Sequence, residues 1–251
     1  MTGFLDSPFA VLLVTLVALS GAAYIGDRPI KRLRPIKKDE RGDFDTALAA
    51  TLTLLGLLIG FSFSMAVNRY DQRNACEQAE ANAIGTEYRR AGLLPDDDAA
   101  KVRKVLGNYI NQRISFYLER PIGDGDVDLA KLQNELWSVV VRAANAQPNP
   151  TTALAVSGMD DVFNSQGCTQ AAWLNRIPGA AWALLGLIAI FANFLMGYRE
   201  RSTGMFALLA LPIVVSVAFF LLADIDSPNG GGVIHIAPQN LISVSQSIAK
   251  H

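Results

Sequence analysis

Along the 251-residue chain, apolar positions gather into four stretches that contain no Asp, Glu, Lys or Arg. They run from Ser7 to Gly26, Thr46 to Asn68, Ile177 to Tyr198 and Ser202 to Ala223, with lengths of 20, 23, 22 and 22 residues. A bilayer core about 30 Å thick is crossed by ~20 apolar helical residues, so each stretch is long enough to span. Such a pattern excludes a single soluble globular domain.

Between the second and third stretches the pattern becomes that of amphipathic helices. After Asn68 there is no proline and only one glycine as far as Arg90, which predicts that the second spanning helix runs on to about that point. Gly92 and Pro95 then break it, and Asp96, Asp97 and Asp98 stand where carboxylates favour a helix start. Val102, Val105, Leu106, Tyr109, Ile110, Ile114 and Tyr117 recur at helical spacing and mark one buried face. A turn over Pro121 to Asp126 leads to a helix with Leu129, Leu132, Leu136, Trp137 and Val140 inward. Gln147 to Pro150 break the chain again, and a last helix from about Thr151 leads toward Pro178. The expected fold is all-α: four transmembrane helices, with a helical extramembrane domain of four antiparallel helices inserted between spans two and three, its outer pair continuous with the spans. The implied divisions are 1–68 (spans one and two), 69–176 (helical domain), 177–223 (spans three and four) and 224–251 (C-terminal tail).

Charge sets the expected topology. The chain carries 22 Lys/Arg and 23 Asp/Glu, a net charge of −1, which gives nucleic acid no attractive field. Seven basic residues crowd the first loop: Arg28, Lys31, Arg32, Arg34, Lys37, Lys38 and Arg41. Arg199 and Arg201 lie between spans three and four. Basic short loops stay in the cytoplasm, so the N-terminus, the helical domain and the C-terminus are expected outside it, in the periplasm for a protein of the bacterial inner membrane. Met1 to Asp6 holds no Lys or Arg, so the first stretch does not read as a removable signal peptide.

The only two cysteines, Cys76 and Cys168, both fall in the long segment. One lies nine residues after Val67 and the other nine before Ile177, about 13 Å from the respective span ends at ~1.5 Å per helical residue. Matched heights on neighbouring helices suit a disulfide in an oxidising compartment; the alternative is two separate free thiols.

Little points to catalysis. Asp124, Asp126, Asp128 and Glu135 match positions one, three, five and twelve of a calcium loop, but Leu129 stands where that loop requires glycine and Lys131 where it is apolar. A helix start capped by carboxylates explains the same residues, so no metal and no cofactor is expected. His235 and the terminal His251 have no partner at ligand or triad spacing. His235 sits in an alternating run that reads as extended after Gly230-Gly231-Gly232. No Walker loop, dinucleotide fingerprint, HExxH or serine elbow is present, and the spans hold no ionisable group for a proton relay. An enzyme is not expected.

The second span carries the most information. Gly56, Gly60 and Ser64 fall four apart, a small-residue stripe that lets another helix pack closely. Beside it run Thr53, Leu57, Phe61 and Met65 at the same interval. These could be the faces of a well-packed helix in a four-span bundle. Alternatively they place the helix around a central axis, its bulky stripe facing a pore gated by rings of apolar side chains.

The segment LIGFSFSMAVNRYDQRN, with Gly60-Phe61 eight residues ahead of Arg69-Tyr70, resembles the second span of bestrophin chloride channels. More broadly, EANAIGTEYRRAGLLP, RIPGAAWALLGLIA and the Asp224-to-Pro228 run resemble a bacterial bestrophin-like family of unknown function. The resemblance implies a homo-oligomer, pentameric in bestrophins, that conducts small inorganic anions through a pore lined by one such helix per subunit. It would place Phe61, Leu57 and Thr53 at neck positions, Thr53 being polar where the family is apolar. Three differences stand out: the expected external domain, which bestrophins keep in the cytosol; its smaller size; and the lack of a long acidic calcium clasp after span four, where only Asp224 and Asp226 remain. The competing expectation is a non-conducting membrane protein whose extracytoplasmic helical domain binds a partner or ligand.

Overall fold

A computed structural model describes residues 7–30, 41–119, 125–199, 205–227 and 232–250. Among these every regular element is helical: α1 (Pro8–Ile25), α2 (Arg41–Arg90), α3 (Asp96–Glu119), α4 (Gly125–Ala146), α5 (Pro150–Leu174), α6 (Gly179–Arg199), α7 (Met205–Asp226) and α8 (Gln239–Ile248). Among the described residues four stretches are long and apolar enough to cross a membrane, and each overlaps one of the four charge-free stretches, in chain order. The chain packs as two compact units. One comprises Met1–Tyr70 with Arg176–His235, the other Asp71–Asn175 with Ile236–His251, and α2 contributes residues to both.

In the first unit, α1 begins with proline at its first turn, where a missing N–H costs nothing. The Thr15 hydroxyl donates to the Val11 carbonyl at 2.7 Å, so this hydroxyl in an apolar run is satisfied within its own helix. α1 packs against both α6 and α7, and a single π-helical turn, Gly26–Ile30, continues it against α6. Two glycines permit that approach. A Cβ on Gly197 would fall on the Ala23 carbonyl oxygen, and one on Gly26 on the Phe194 carbonyl oxygen. Val11, Leu19, Leu55, Ala66, Ala189, Phe219 and Leu222 close the core.

The second unit packs α3 on α4, α4 on α5, and α8 on α3. The face expected on α3 is buried: Val102, Val105, Leu106, Tyr109, Ile110 and Tyr117 lie within the core, with Ile114 half-buried against it. On α4, Leu129, Leu136 and Val140 point inward as expected, with Leu132 half-buried. Trp137 does not. It is 38% exposed, and Val139 and Ala143 take the inward places. The buried arc is centred between Leu136 and Val140, and Trp137 falls at its margin against Phe163, with ring centroids 6.3 Å apart.

Helix boundaries follow local chemistry. α2 ends at Arg90, and a 3-10 turn over Ala91–Leu93 precedes Pro95. α5 is capped by Asn149, whose Oδ1 accepts from the Thr151 and Thr152 amides, both at 2.9 Å, with Pro150 at the first position. α5 is not continuous with the third spanning helix. It stops at Leu174, residues 175–178 are irregular, and α6 starts at Gly179. Pro178 has no N–H and disfavours helical backbone at Ile177, which ends one helix before the next begins. The C-terminal segment is also more ordered than a tail: residues 234–238 are irregular, but α8 follows and buries Leu241 completely.

Candidate functional site

Both stripes on α2 lie open. Thr53, Leu57, Phe61 and Met65 are exposed, Phe61 at 64%. Gly56, Gly60 and Ser64 are exposed beside them, and nothing stands within 4 Å of where a Cβ would sit on either glycine. The helix instead turns Leu55, Ser62 and Ala66 to its own unit. The Thr53 hydroxyl donates to the Ala49 carbonyl at 2.8 Å and so presents a methyl and a satisfied oxygen. The result is a surface of bulky apolar side chains flanked by small ones, with no ionisable group between Thr46 and Asn68.

Charges begin where this surface ends, and each end of the segment is tied down. Before it, Arg199 at the end of α6 donates to both oxygens of Asp45, at 2.7 and 3.3 Å. After it, Arg69, one further step of four along the bulky stripe, donates to Asp226 Oδ1 at 3.3 Å and lies 3.7 Å from the Met65 sulfur. Asp226 also accepts the Ile177 amide at 3.0 and 3.1 Å, so one buried carboxylate at the end of α7 anchors α2 and the segment entering α6. Asp224, two residues earlier, accepts the amides of Val233 and Ile234 through Oδ2, both at 3.0 Å. A Cβ on Gly232 would overlap that carboxylate. These acidic residues therefore bind backbone N–H groups of the segments that follow or adjoin them.

In the second unit, the continuing helix buries a row of charges: Arg73, Glu77, Glu80 and Glu87. Arg73 donates to the carbonyls of Ala172 (3.2 Å) and Asn175 (3.3 Å), which α5 leaves unpaired at its C-terminal end. Glu77 accepts the Leu241 amide at 3.0 Å and the Asn240 side-chain amide at 2.6 Å, holding the start of α8. Glu80 accepts from Arg113, both from Nε and, at 3.2 Å, from Nη2, and from the Thr169 hydroxyl at 2.8 Å. Burial works to lower the Arg113 pKa, but the Glu80 carboxylate outweighs it and holds the guanidinium above its ordinary value. Burial and then the Glu80 charge push the Tyr109 and Tyr117 hydroxyls up as well. The signal for this row was present: 73, 77, 80, 84, 87 and 91 share a helical face, and Ile84 and Ala91 among them are apolar.

Cys76 on α2 and Cys168 on α5 are joined in a disulfide with Cα atoms 5.8 Å apart. The residues weighed as a calcium loop are dispersed where they are described. Asp128 pairs with Lys131 at 3.0 Å and Glu135 with Lys101 at 3.7 Å, while Asp124 and the Asp126 side chain lie outside the described residues. Asp98, in the acidic start of α3, pairs with Arg142 at 3.0 Å. Of the first loop, Lys31, Arg32, Arg34, Lys37 and Lys38 lie outside the described residues, as do Arg201, Gly230, Gly231 and His251.

A family model of the Bestrophin-like domain matches residues 17–241. Among solved structures, the crystal structure of a bacterial bestrophin homologue from Klebsiella pneumoniae superposes with a TM-score of 0.70 at 14% identity, covering 96% of this chain and 97% of that one. Two single-residue variants of that homologue give a TM-score of 0.69, also at 14% identity, with 96% and 97% coverage in one case and 97% and 98% in the other. At this identity the likeness is one of fold. No curated protein matches the sequence.

Proposed function

The chain belongs to the bestrophin-like family, and from that membership we propose that it forms a homo-oligomeric ion channel, anion-conducting, whose pore is lined by one α2 helix per subunit. The observation that carries the reading is the open pair of stripes. Thr53, Leu57, Phe61 and Met65 present an exposed, bulky, uncharged surface, and among the described residues nothing lies against Gly56 and Gly60 beside it. A small-residue stripe gains van der Waals contact only when another helix lies on it, and among the described residues none does. A second copy of α2 on Gly56 and Gly60 turns the bulky stripe toward the symmetry axis. Repeated around that axis, Phe61 and Leu57 form apolar rings, a constriction that empties of water when narrow and passes ions when it widens. The stretch from Thr46 to Asn68 carries no charge of either sign, so the choice of anions rests on the family membership. A pentamer is the assembly the family suggests.

The same reading places residues 69–176 outside the bilayer as an inserted domain, on the periplasmic side of the bacterial inner membrane together with both termini. Two independent features support that orientation. Seven basic residues in the first loop are costly to translocate. The disulfide joining Cys76 to Cys168 persists in an oxidising compartment and is rare in the cytosol.

The oligomeric state tests the proposal. Mass photometry of the purified protein in detergent is expected to give one assembly of at least three copies. A monomer or dimer would leave α2 no axis to surround and would end the channel reading. For orientation, a membrane-impermeant maleimide applied to intact cells should label a single cysteine introduced on the exposed face of α4. Labelling only after lysis would reverse the assignment.

A further inference from the structure

One buried charge on α2 has no use in the packing described so far. Glu87 lies nineteen residues beyond the charge-free stretch that ends at Asn68, and it is fully buried. Its neighbours in the same row are all satisfied: Glu77 by an amide and an asparagine, Glu80 by a guanidinium and a hydroxyl. Neither oxygen of Glu87 has a hydrogen-bond partner. Its carboxyl faces Gly158 of α5, where a Cβ would fall on Oε2. The carboxyl thus occupies the space a side chain would need, in contact with the opposing backbone.

Two charged groups face it. Arg90, on α2 itself, tends to keep the carboxyl ionised, but its guanidinium is paired with Asp161 of α5 at 3.7 Å, and Asp161 acts in the opposite sense. Asp161 thus offsets part of the Arg90 attraction, and the desolvation of an ionised carboxylate, the largest of the three influences, is not overcome. Burial accordingly pushes the Glu87 carboxyl up to about 8.

We propose that Glu87 is a proton-binding site that closes the interface between α2 and α5: it sits there as a neutral acid, and loss of its proton loosens that interface. An ionised Glu87 in its present position is an anion without a donor, and the smallest displacement that rehydrates it parts the helices at Gly158. The ligand is the proton alone. Burial sets the pH at which it leaves and Arg90 and Asp161 adjust it, so the interface responds to alkaline rather than acidic conditions. The inference does not depend on the channel reading, because its readout is local order and not ion flux.

Hydrogen exchange of the full-length protein in detergent, read by mass spectrometry on peptides covering α5 around Gly158 and corrected for intrinsic rates, provides the test. Protection there should fall at least tenfold between pH 7 and pH 9 in the native protein and stay level in Glu87→Gln. Asp161→Asn should move the midpoint down and Arg90→Gln should move it up, each by about half a pH unit or more. If Glu87→Gln does not fold, those two variants decide the matter without altering the carboxyl. Protection that is independent of pH, a fall that persists in Glu87→Gln, or midpoints identical in wild type, Asp161→Asn and Arg90→Gln would each overturn the assignment.

Discussion

Replacing Arg113 by methionine should cost the second unit about 3–5 kcal/mol, the usual penalty for removing one member of a buried ion pair. The side chains of Arg113 and Glu80 are 3% and 0% exposed. Loss of the guanidinium removes both of its N–H donors and leaves the Glu80 carboxylate with Thr169 alone, at 2.8 Å. It also removes a cation from above the Phe116 ring, 4.6 Å from the centroid, a contact worth about 0.5–2 kcal/mol. The carboxylate should account for most of the loss. Glu80→Gln combined with Arg113→Met should therefore recover about 2 kcal/mol relative to the sum of the single variants. Urea unfolding in mild detergent, followed by tryptophan fluorescence, measures this. Trp173 is a suitable reporter because its ring lies 4.8 Å from Phe116 and 5.6 Å from Tyr117. A single-variant cost below about 1 kcal/mol, or strictly additive losses, would refute the view that Glu80 is a charge held in place by Arg113.

Other outcomes follow from particular contacts. Reducing the Cys76–Cys168 disulfide, which closes a sequence separation of 92, should lower the stability of the second unit by about 4–5 kcal/mol on the chain-entropy account, visible as a lower urea midpoint with reductant present; an unchanged midpoint would contradict it. Gly197→Val should impair the crossing of α1 with α6 because its side chain would meet the Ala23 carbonyl, with a cost of about 1–3 kcal/mol or a failure to yield monodisperse protein; Gly21→Ala, where nothing lies within 4 Å of the added carbon, should be tolerated. For Glu87 the sign is fixed by its raised folded-state value. The native state keeps its proton between pH about 4.5 and about 8 while the unfolded chain does not, so stability is greatest below that window, declines through it, and levels off above. The decline amounts to at most about 4–5 kcal/mol, and the difference in thermal midpoint between wild type and Glu87→Gln should show it; a difference that does not change with pH would contradict it.

How much of this was legible in the sequence depended on whether a feature was local. The spans were legible because a run of some twenty uncharged residues has one economical solution in a membrane, and α3 because seven apolar residues at helical spacing define a face. Trp137 was misplaced because the edge of a buried arc is set by the neighbouring helix. The interruption at Pro178 was missed because length and hydropathy do not distinguish one long helix from two abutting ones, although the proline itself signals a break. Gly26 and Gly197 could not be paired from sequence, since each owes its importance to a carbonyl more than a hundred residues away. The buried row on α2 was overlooked for another reason. Charged residues usually mark solvent, and only their register with Ile84 and Ala91 indicated otherwise. α8 has few bulky residues, and its place is fixed by Glu77, far away in the chain. Of the candidate site, the stripes on α2 were visible because the period of a helix is enough to align them. Their open surroundings became visible only once the rest of the chain was folded around the other face.

The central claim is that the uncharged stripe of α2 forms the constriction of an ion pathway. Anion flux through proteoliposomes containing wild-type protein and Phe61→Ala tests it most directly. Shortening this exposed aromatic side chain should widen the apolar ring and raise the flux severalfold, while Leu118→Ala, an exposed apolar residue of the second unit, should leave it unchanged. Absence of flux from both wild type and Phe61→Ala, across a range of pH and calcium concentration, would contradict the account.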